Sequence, residues 1–322
     1  MRVRFWGTRG SLPAPLSAVE VRAKVKDAVV RAAGRRFDGD EALDAFLDRE
    51  LEFVTAGTFG GNTSCVQIDA GGDELTICDA GSGLRELGRH LLATQGLARP
   101  RVYNLFMSHL HWDHIMGFPF FIPAYIPGNR IRIHGCHTVD QVVREAFQRQ
   151  QSAPCFPVDF DRLGATIEFV ALEPGTVYSI GGLTVRAIKQ LHAGDSYGYR
   201  FEHGGKVAVY ASDAEHKPET VSAGNPAIEL FRDADVVVFD AMYSLAETVS
   251  VKEDWGHSSN IVGVEMCQLA GAKRLCLFHH EPAADDRALA RVLDETRRFE
   301  RLARRGRALE ILAAYDGLEL TL

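Results

Sequence analysis

Nowhere in the 322 residues does an apolar run reach the roughly 18 to 20 residues that a membrane-spanning helix needs, so no span is expected. The opening Met1-Arg-Val-Arg-Phe-Trp6 alternates like a strand and lacks the apolar stretch of a secretory signal, which makes the cytoplasm the default expectation. CxxC pairs are missing too. Cys65, Cys78, Cys136, Cys155, Cys267 and Cys276 stand apart, mostly among apolar or strand-like neighbours, as buried free thiols do. Basic charge is in short supply, with 36 Lys and Arg against 43 Asp and Glu and a formal charge of −7. That balance argues against broad, nonspecific binding to nucleic acid, while leaving room for a local basic patch. No repeat, low-complexity tract or linker divides the chain, so one domain over 1–322 is expected. What the chain does have is core-forming material: 46 % of residues are hydrophobic and 25 % charged, ordinary for a globular protein.

Period-two alternation and β-branched runs predict strands near 2–6, 64–69, 74–79, 102–107, 130–134, 166–170 and 183–189. Further strands are expected near 197–202, 206–211, 235–240, 274–279, 308–313 and 317–321. Helical spacing marks 17–33, 40–52, 84–93, 139–149, 258–270 and 285–304. Strands fill both halves with helices interleaved, which predicts an α/β (α+β) four-layer αββα sandwich of two mixed sheets covered by helices. Residues 12–57 read as an inserted helical pair. Ser17 with Glu20 has the pattern of a capping box, and Asp40 is placed to cap the second helix. Val21, Val25, Ala28, Val29 and Ala32 fall on one helical stripe. Such an insertion serves as a packing appendage or as a lid or dimer contact, and both readings stay open. The last helix mixes many arginines with Asp294, Glu295 and Glu300, as on a solvated, ion-paired face.

The chemistry concentrates in Ser108-His-Leu-His-Trp-Asp-His114, directly after the apolar run Val102–Met107. A strand that ends in such a turn gathers His109, His111, Asp113 and His114 around one point. Imidazole nitrogens and carboxylate oxygens suit zinc and similar divalent ions, and a binuclear site needs about six to eight donors. Four donors leave it incomplete. The others are expected at strand ends, where loops gather: His192 after Leu183–Lys189, Asp213 after Lys206–Tyr210, and His279 after Arg274–Phe278. His280 adjoins His279 and competes for the same role.

HxHxDH followed by a strand-end His, Asp and His resembles the metallo-β-lactamase superfamily, and Cys78-Asp79-Ala-Gly-Ser82 resembles its first motif. The resemblance runs over residues 1–281, with the insertion at 12–57 set aside. It implies two facing mixed sheets with metals at one edge. Asp213 would bridge two ions, with His109, His111 and His192 completing one site and Asp113, His114 and His279 the other. Leu277-Phe-His279 resembles the family's strand-end Leu-Thr-His, which favours His279 over His280. Asp79 is expected to accept a hydrogen bond from a ligating imidazole rather than to bind metal itself. The implied cofactors are two divalent metal ions, zinc first, with manganese or iron also open because supply decides as much as the ligands.

Flanking segments point to one branch. Leu191-His-Ala-Gly-Asp-Ser-Tyr-Gly-Tyr-Arg-Phe-Glu202 resembles the His…Gly-Tyr-Arg segment of the RNase Z and cyclic phosphodiesterase branch. Phe5-Trp-Gly-Thr-Arg-Gly-Ser11 resembles its opening turn, and Trp255-Gly-His-Ser-Ser259 its Gly-His-Ser-Thr motif, whose histidine is the family's proposed general acid. Phe239-Asp-Ala-Met-Tyr243 falls where RNase Z has His-Glu-Ala-Thr-Phe. The resemblance implies a phosphodiesterase using a metal-bridging hydroxide, in which His257, oriented by Asp240, protonates the leaving alkoxide. Asp113 belongs to both the catalytic and the metal sets. The chain departs from RNase Z in lacking a Gly- and basic-rich arm and in carrying Phe239. These departures favour a small or cyclic phosphodiester and argue against a nucleic-acid partner; no membrane partner is expected, and a homodimer stays open. A lactone or thioester hydrolase with the same metals, and a non-catalytic metal-binding scaffold, are the alternatives. Gly60-Gly-Asn62 reads as a tight turn, with Asn62 beside the metals as its other reading. The run Phe118–Tyr125 reads as core or as a stacking wall for a base. His90, His134, His137, His203 and His216 are expected in ordinary roles, His216 being nearest to Asp213 in sequence.

Overall fold

Strands such as Val236-Val-Val-Phe-Asp240 are apolar at nearly every position and therefore need cover on both faces. The computed structural model, which describes residues 1–96, 100–137 and 140–322, shows how that cover is supplied. Its first half runs β1 (Arg2–Gly7), α1 (Ala18–Ala32), α2 (Asp40–Arg49), α3 (Phe53–Ala56), β2 (Cys65–Asp69), β3 (Leu75–Cys78) and α4 (Gly83–Gln95). Then follow β4 (Val102–Phe106), α5 (Trp112–Ile115), β5 (Arg130–Gly135), α6 (Asp140–Gln150) and β6 (Thr166–Ala171). The second half runs β7 (Val177–Ile180), β8 (Leu183–Lys189), β9 (Tyr197–His203), β10 (Lys206–Ala211), α7 (Pro226–Phe231), β11 (Val236–Asp240) and α8 (Leu245–Thr248). It ends with α9 (Asn260–Ala270), β12 (Arg274–Phe278), α10 (Asp286–Ala303), β13 (Glu310–Ala313) and β14 (Glu319–Thr321). Position 139, where one expected helix begins, lies outside the described residues; α6 accounts for the rest of it.

Two seven-stranded sheets result, ordered β14-β1-β2-β3-β4-β5-β6 and β13-β12-β11-β10-β9-β8-β7. Each is mixed, with β3 to β6 parallel in one and β10 to β13 parallel in the other. The period of two divides each strand between layers. On β10 and β11, Ala208, Tyr210, Val236 and Val238 face the other sheet, meeting Phe5, Val66 and Phe106. Val209, Ala211, Val237 and Phe239 face outward onto α7 and α9. The first sheet's outer face packs Ile77, Leu105 and Ile131 against Leu84 and Leu87 of α4 and Phe147 of α6. This is the expected αββα sandwich. Among the described residues no helix is long and apolar enough to cross a membrane.

Several local expectations need correction. β7 was not anticipated: Gly181 and Gly182, both at positive φ, turn it tightly into β8, and that Gly-Gly between apolar runs was the available signal. The Pro226 helix was also missed; Asn225 caps it and the proline occupies its first turn. Ser17 and Glu20 form the anticipated capping box, but the cap of α2 is Gly39, not Asp40, which opens the helix. The valine stripe of α1 does not pack. No residue of that helix is buried, and Val21, Val25 and Val29 face solvent. Polar ties hold α1 instead, with the Lys24 ammonium 2.7 Å from Asp286 and the Thr55 hydroxyl donating to Asp27 at 2.6 Å.

Gly60-Gly-Asn62 is a turn clasped by Asp316, whose carboxylate accepts from the Gly61 and Asn62 backbone N–H groups and from the Asn62 side-chain amide. It also accepts from the Thr8 hydroxyl. Asp316→Ala strips four donors of one acceptor, and unpaired donors cost about 1–3 kcal/mol each when water cannot replace the partner. The expected loss is at least about 2 kcal/mol in urea unfolding; a variant as stable as the wild type would show that water fills the clasp.

Candidate metal centre

The parallel strands all deliver their carboxyl ends to one edge, which is where α/β sheets present functional groups. Asp79 follows β3, the His109–His114 turn follows β4, Asp213 follows β10, Asp240 closes β11 and His279 follows β12. β8 runs in the direction of β10, because each is antiparallel to β9, so His192 arrives at the same edge. Asp79, Asp213 and His279 have φ of 58°, 50° and 58°. Three non-glycine residues in the left-handed region, each just past a strand, mark a site where local strain is tolerated to aim side chains.

Two groups of donors form. His109, His111, His192 and Asp213 converge, each offering an atom within 4.8 Å of the others, and so do Asp113, His114 and His279. Asp213 spans them. Its Oδ2 lies 3.6 Å from His109 Nε2 and 3.7 Å from His192 Nε2, while its Oδ1 lies 3.1 Å from His114 Nε2 and 3.3 Å from His279 Nε2. Asp113 Oδ2 lies 3.2 Å from His114 Nε2 and 3.3 Å from His279 Nε2. Donors about 2.0–2.1 Å from one tetrahedral ion stand about 3.3 Å apart, so these spacings fit.

Hydrogen bonding fixes which ring nitrogens carry lone pairs. His114 Nδ1–H donates to Asp79 at 2.7 Å and His192 Nδ1–H to the Gly256 carbonyl at 2.7 Å. The Ser108 hydroxyl donates to Asp79, so the His109 Nδ1–H donates to Ser108 Oγ at 3.1 Å. His109 Nε2 is then a buried lone pair with no partner. Burial pushes the His109 pKa well below its ordinary value, which keeps the ring neutral. Burial opposes charge on His114 too, but Asp213, Asp113 and Asp79 outweigh it and raise its pKa well above the usual value. Buried carboxylates and imidazoles facing one another at 3.1–3.7 Å need positive charge among them, which the proton on His114 supplies in the protein alone and a divalent ion would supply when bound. The donor set fits divalent metal.

Asp79 binds nothing at the centre. It accepts from the Ser108 N–H at 2.7 Å, the Ser108 hydroxyl at 2.6 Å, the Tyr210 hydroxyl at 2.7 Å and His114. Tyr210 escaped sequence reasoning, since a tyrosine within a strand carries no motif. His257 Nδ1–H donates to Asp240 at 2.7 Å, and Asp240 also accepts from the Ala214 and Met242 N–H groups. Burial opposes charge on His257, but Asp240 prevails and pushes its pKa up to about 9. His257 also comes within reach of Asp213 and His279. His280 turns away and donates to the Ala314 carbonyl at 2.8 Å. Asn62 is held by Asp316 and Ser82, and His216 is buried against Phe239, so neither joins the donor groups. Gly256 leaves room for His192: a Cβ there would meet Nδ1 at 2.4 Å.

With this geometry in place, the relatives can be identified. The family model of the β-lactamase superfamily domain matches residues 76–280, and the chain belongs to that family. It is a metal-dependent hydrolase of the metallo-β-lactamase fold, a fold that generally holds divalent ions. Ribonuclease Z of Acaryochloris marina is 23 % identical over 263 residues, covering 65 % of this chain and 77 % of its own. Among solved structures, the metallo-β-lactamase fold protein YhfI of Bacillus subtilis superposes with a TM-score of 0.63 at 17 % identity, over 99 % of this chain and 98 % of its own. A diphosphatase of the PhnP family gives 0.60 at 16 %, over 100 % and 97 %. The ribonuclease relative removes the ground for setting nucleic acid aside as a partner.

Asp79→Ala leaves the Ser108, Tyr210 and His114 donors without their acceptor in a fully buried place. The expected cost is about 3 kcal/mol or more, against about 1 kcal/mol for Tyr210→Phe, which removes one donor and leaves three. Chemical denaturation of metal-free protein checks both, and equal losses would contradict this ranking.

Proposed function

We propose that this hydrolase is a binuclear phosphodiesterase acting on a small or cyclic phosphodiester. The observation that carries the reading is the Asp213 carboxylate, one oxygen of which faces His109 and His192 while the other faces His114 and His279. His109, His111 and His192 would hold one ion, Asp113, His114 and His279 the other, and Asp213 both. Two such ions, zinc first, supply Lewis-acid polarisation of a phosphoryl oxygen and a nucleophile at neutral pH.

The remaining work falls to the protein's own groups. Ser108 and Asp79 take the Nδ1–H groups of His109 and His114, so that Nε2 is the atom each ring turns toward the other donors. The Ser11 N–H donates to Asp113 Oδ2 at 2.8 Å and holds that carboxylate in place. Asp240 anchors His257 through Nδ1 and leaves Nε2 to hold the proton that a leaving alkoxide needs. A lactone or thioester hydrolase would have less use for this dyad. RNA is a second reading, favoured by the ribonuclease name of a relative. The net charge of −7 favours the small substrate.

Turnover of bis-p-nitrophenyl phosphate is expected only after loading with divalent metal, with two ions per chain by elemental analysis, and is abolished by chelation. His257→Ala should lower kcat by about 10²- to 10⁴-fold on a diester with a poor leaving group while metal content stays at two. Absence of diester hydrolysis in fully loaded protein, beside turnover of a lactone, would overturn the proposal; cleavage of a structured RNA in preference to small diesters would establish the second reading.

A further inference from the structure

Two of the chain's three tryptophans stand in water beside the donor groups. Trp6 is 7 % exposed, whereas Trp112 and Trp255 are 64 % and 57 % exposed. Indoles are highly buried on average, so two left bare on segments that carry the donor groups point to something that covers them in use. Their placement narrows what that is. Trp112 lies between His111 and Asp113, and Trp255 directly precedes Gly256, whose carbonyl accepts from His192. His111 Nδ1 and His192 Nε2 are 3.2 Å apart, so the segments that carry the two indoles, the first rooted after β4 and the second before α9, meet at one histidine pair. The Lys252 ammonium sits 3.7 Å from the Trp255 ring centroid and 5.0 Å from that of Tyr243. The Tyr243 ring stands edge-on to His257 with centroids 5.5 Å apart. A cation thus joins an open aromatic surface to the His257 dyad.

A protein seated permanently on both indoles would close off His111, the exposed member of its donor group. The occupant therefore has to come and go with turnover. An aromatic face next to an ammonium suits a planar base attached to a phosphate. The segment Phe118–Tyr125 is mostly core, with Phe118, Pro119, Phe121, Pro123 and Ala124 buried; its one exposed ring, Phe120, stands against Phe156.

We propose that Trp112 and Trp255 form a base-stacking subsite, and that the substrate is a base-bearing phosphodiester such as a dinucleotide or cyclic nucleotide. This rests on the phosphodiesterase reading above. Adenosine 5′-monophosphate, which contains no diester, should quench the tryptophan fluorescence of the metal-loaded protein saturably, and ribose 5-phosphate should not. Trp112→Leu and Trp255→Leu should each weaken that binding roughly 5- to 100-fold, while Trp112→Phe and Trp255→Phe keep most of it. The ratio of kcat/KM for the dinucleotide ApA to that for ethyl p-nitrophenyl phosphate should fall by a similar factor in the Leu variants. Should Trp112→Leu fail to hold metal, the Trp255 pair decides the question alone. Absence of quenching, or affinity unchanged in the Leu variants, would overturn the subsite. Indole-dependent binding without hydrolysis of any diester would keep the subsite and overturn the phosphodiesterase reading; diester hydrolysis indifferent to both indoles would do the reverse.

Discussion

The Asp79 carboxylate ties the two sheets together beneath the donor groups. It is fully buried, and an ionised group survives there only with its lone pairs met. Two donors come from Ser108, one from His114 and one from Tyr210 on the opposite sheet. Each donor is fixed in return. Ser108 starts the turn that carries His109 to His114, the His114 tautomer is set, and Tyr210 stands three residues before Asp213. One buried anion thereby sets the position of a histidine turn on one sheet against an aspartate on the other. A mutually satisfied network of this kind is stiff, and stiffness is what keeps lone pairs facing one another across about 3.3 Å.

The same edge carries a cost in the protein alone. Asp213 is not its source: burial raises that carboxyl's pKa, but His114 and His279 outweigh it and hold it well below the ordinary carboxylate value. The left-handed backbone at Asp79, Asp213 and His279 adds about 1–3 kcal/mol of strain at each position. That strain falls at strand ends, while the strands behind them are packed on both faces. The sandwich supplies the surplus stability, and the edge uses it. A divalent cation bound by the folded donor groups and not by the unfolded chain would add to stability, which links metal affinity to the stability of the fold.

Much of this was legible in the sequence because metal ligands are rare residue types placed where cores do not want them. The turn His109 to His114 could not be mistaken for packing, and its missing ligands directed attention to His192, Asp213 and His279. The sheets were legible from alternation. What escaped has a common cause. Tyr210 meets Asp79 across 131 positions of chain, and nothing in a strand residue announces such a partner. The α1 stripe has the period of a packed helix, yet period describes a face, not whether anything covers it. The four residues of β7 and six of α7 are too short for periodicity to register, and only the glycine pair and Asn-Pro beside them held a signal. Exposure of Trp112 is likewise a tertiary property.

The donor groups define the apparatus, and its common use across the superfamily means that choice of substrate has to lie outside them. The position of His257 gives that outside region a direction. Its ring lies 5.1 Å from those of both His192 and His279, one from each donor group. In an in-line displacement the leaving oxygen departs opposite the nucleophile, and the proton donor belongs on the leaving side. Trp255, Tyr243 and Lys252 cluster around His257, which puts an aromatic and cationic surface beside the His257–Asp240 pair; if His257 is the proton donor, that surface lies on the leaving-group side. Trp112 stands on the turn between His111 and Asp113. In the proposed stacking subsite, a substrate held by both indoles would have its phosphodiester fixed near the donor groups. Recognition of the two flanking groups would then itself align the reacting bond, so that binding energy from the bases is spent on orientation.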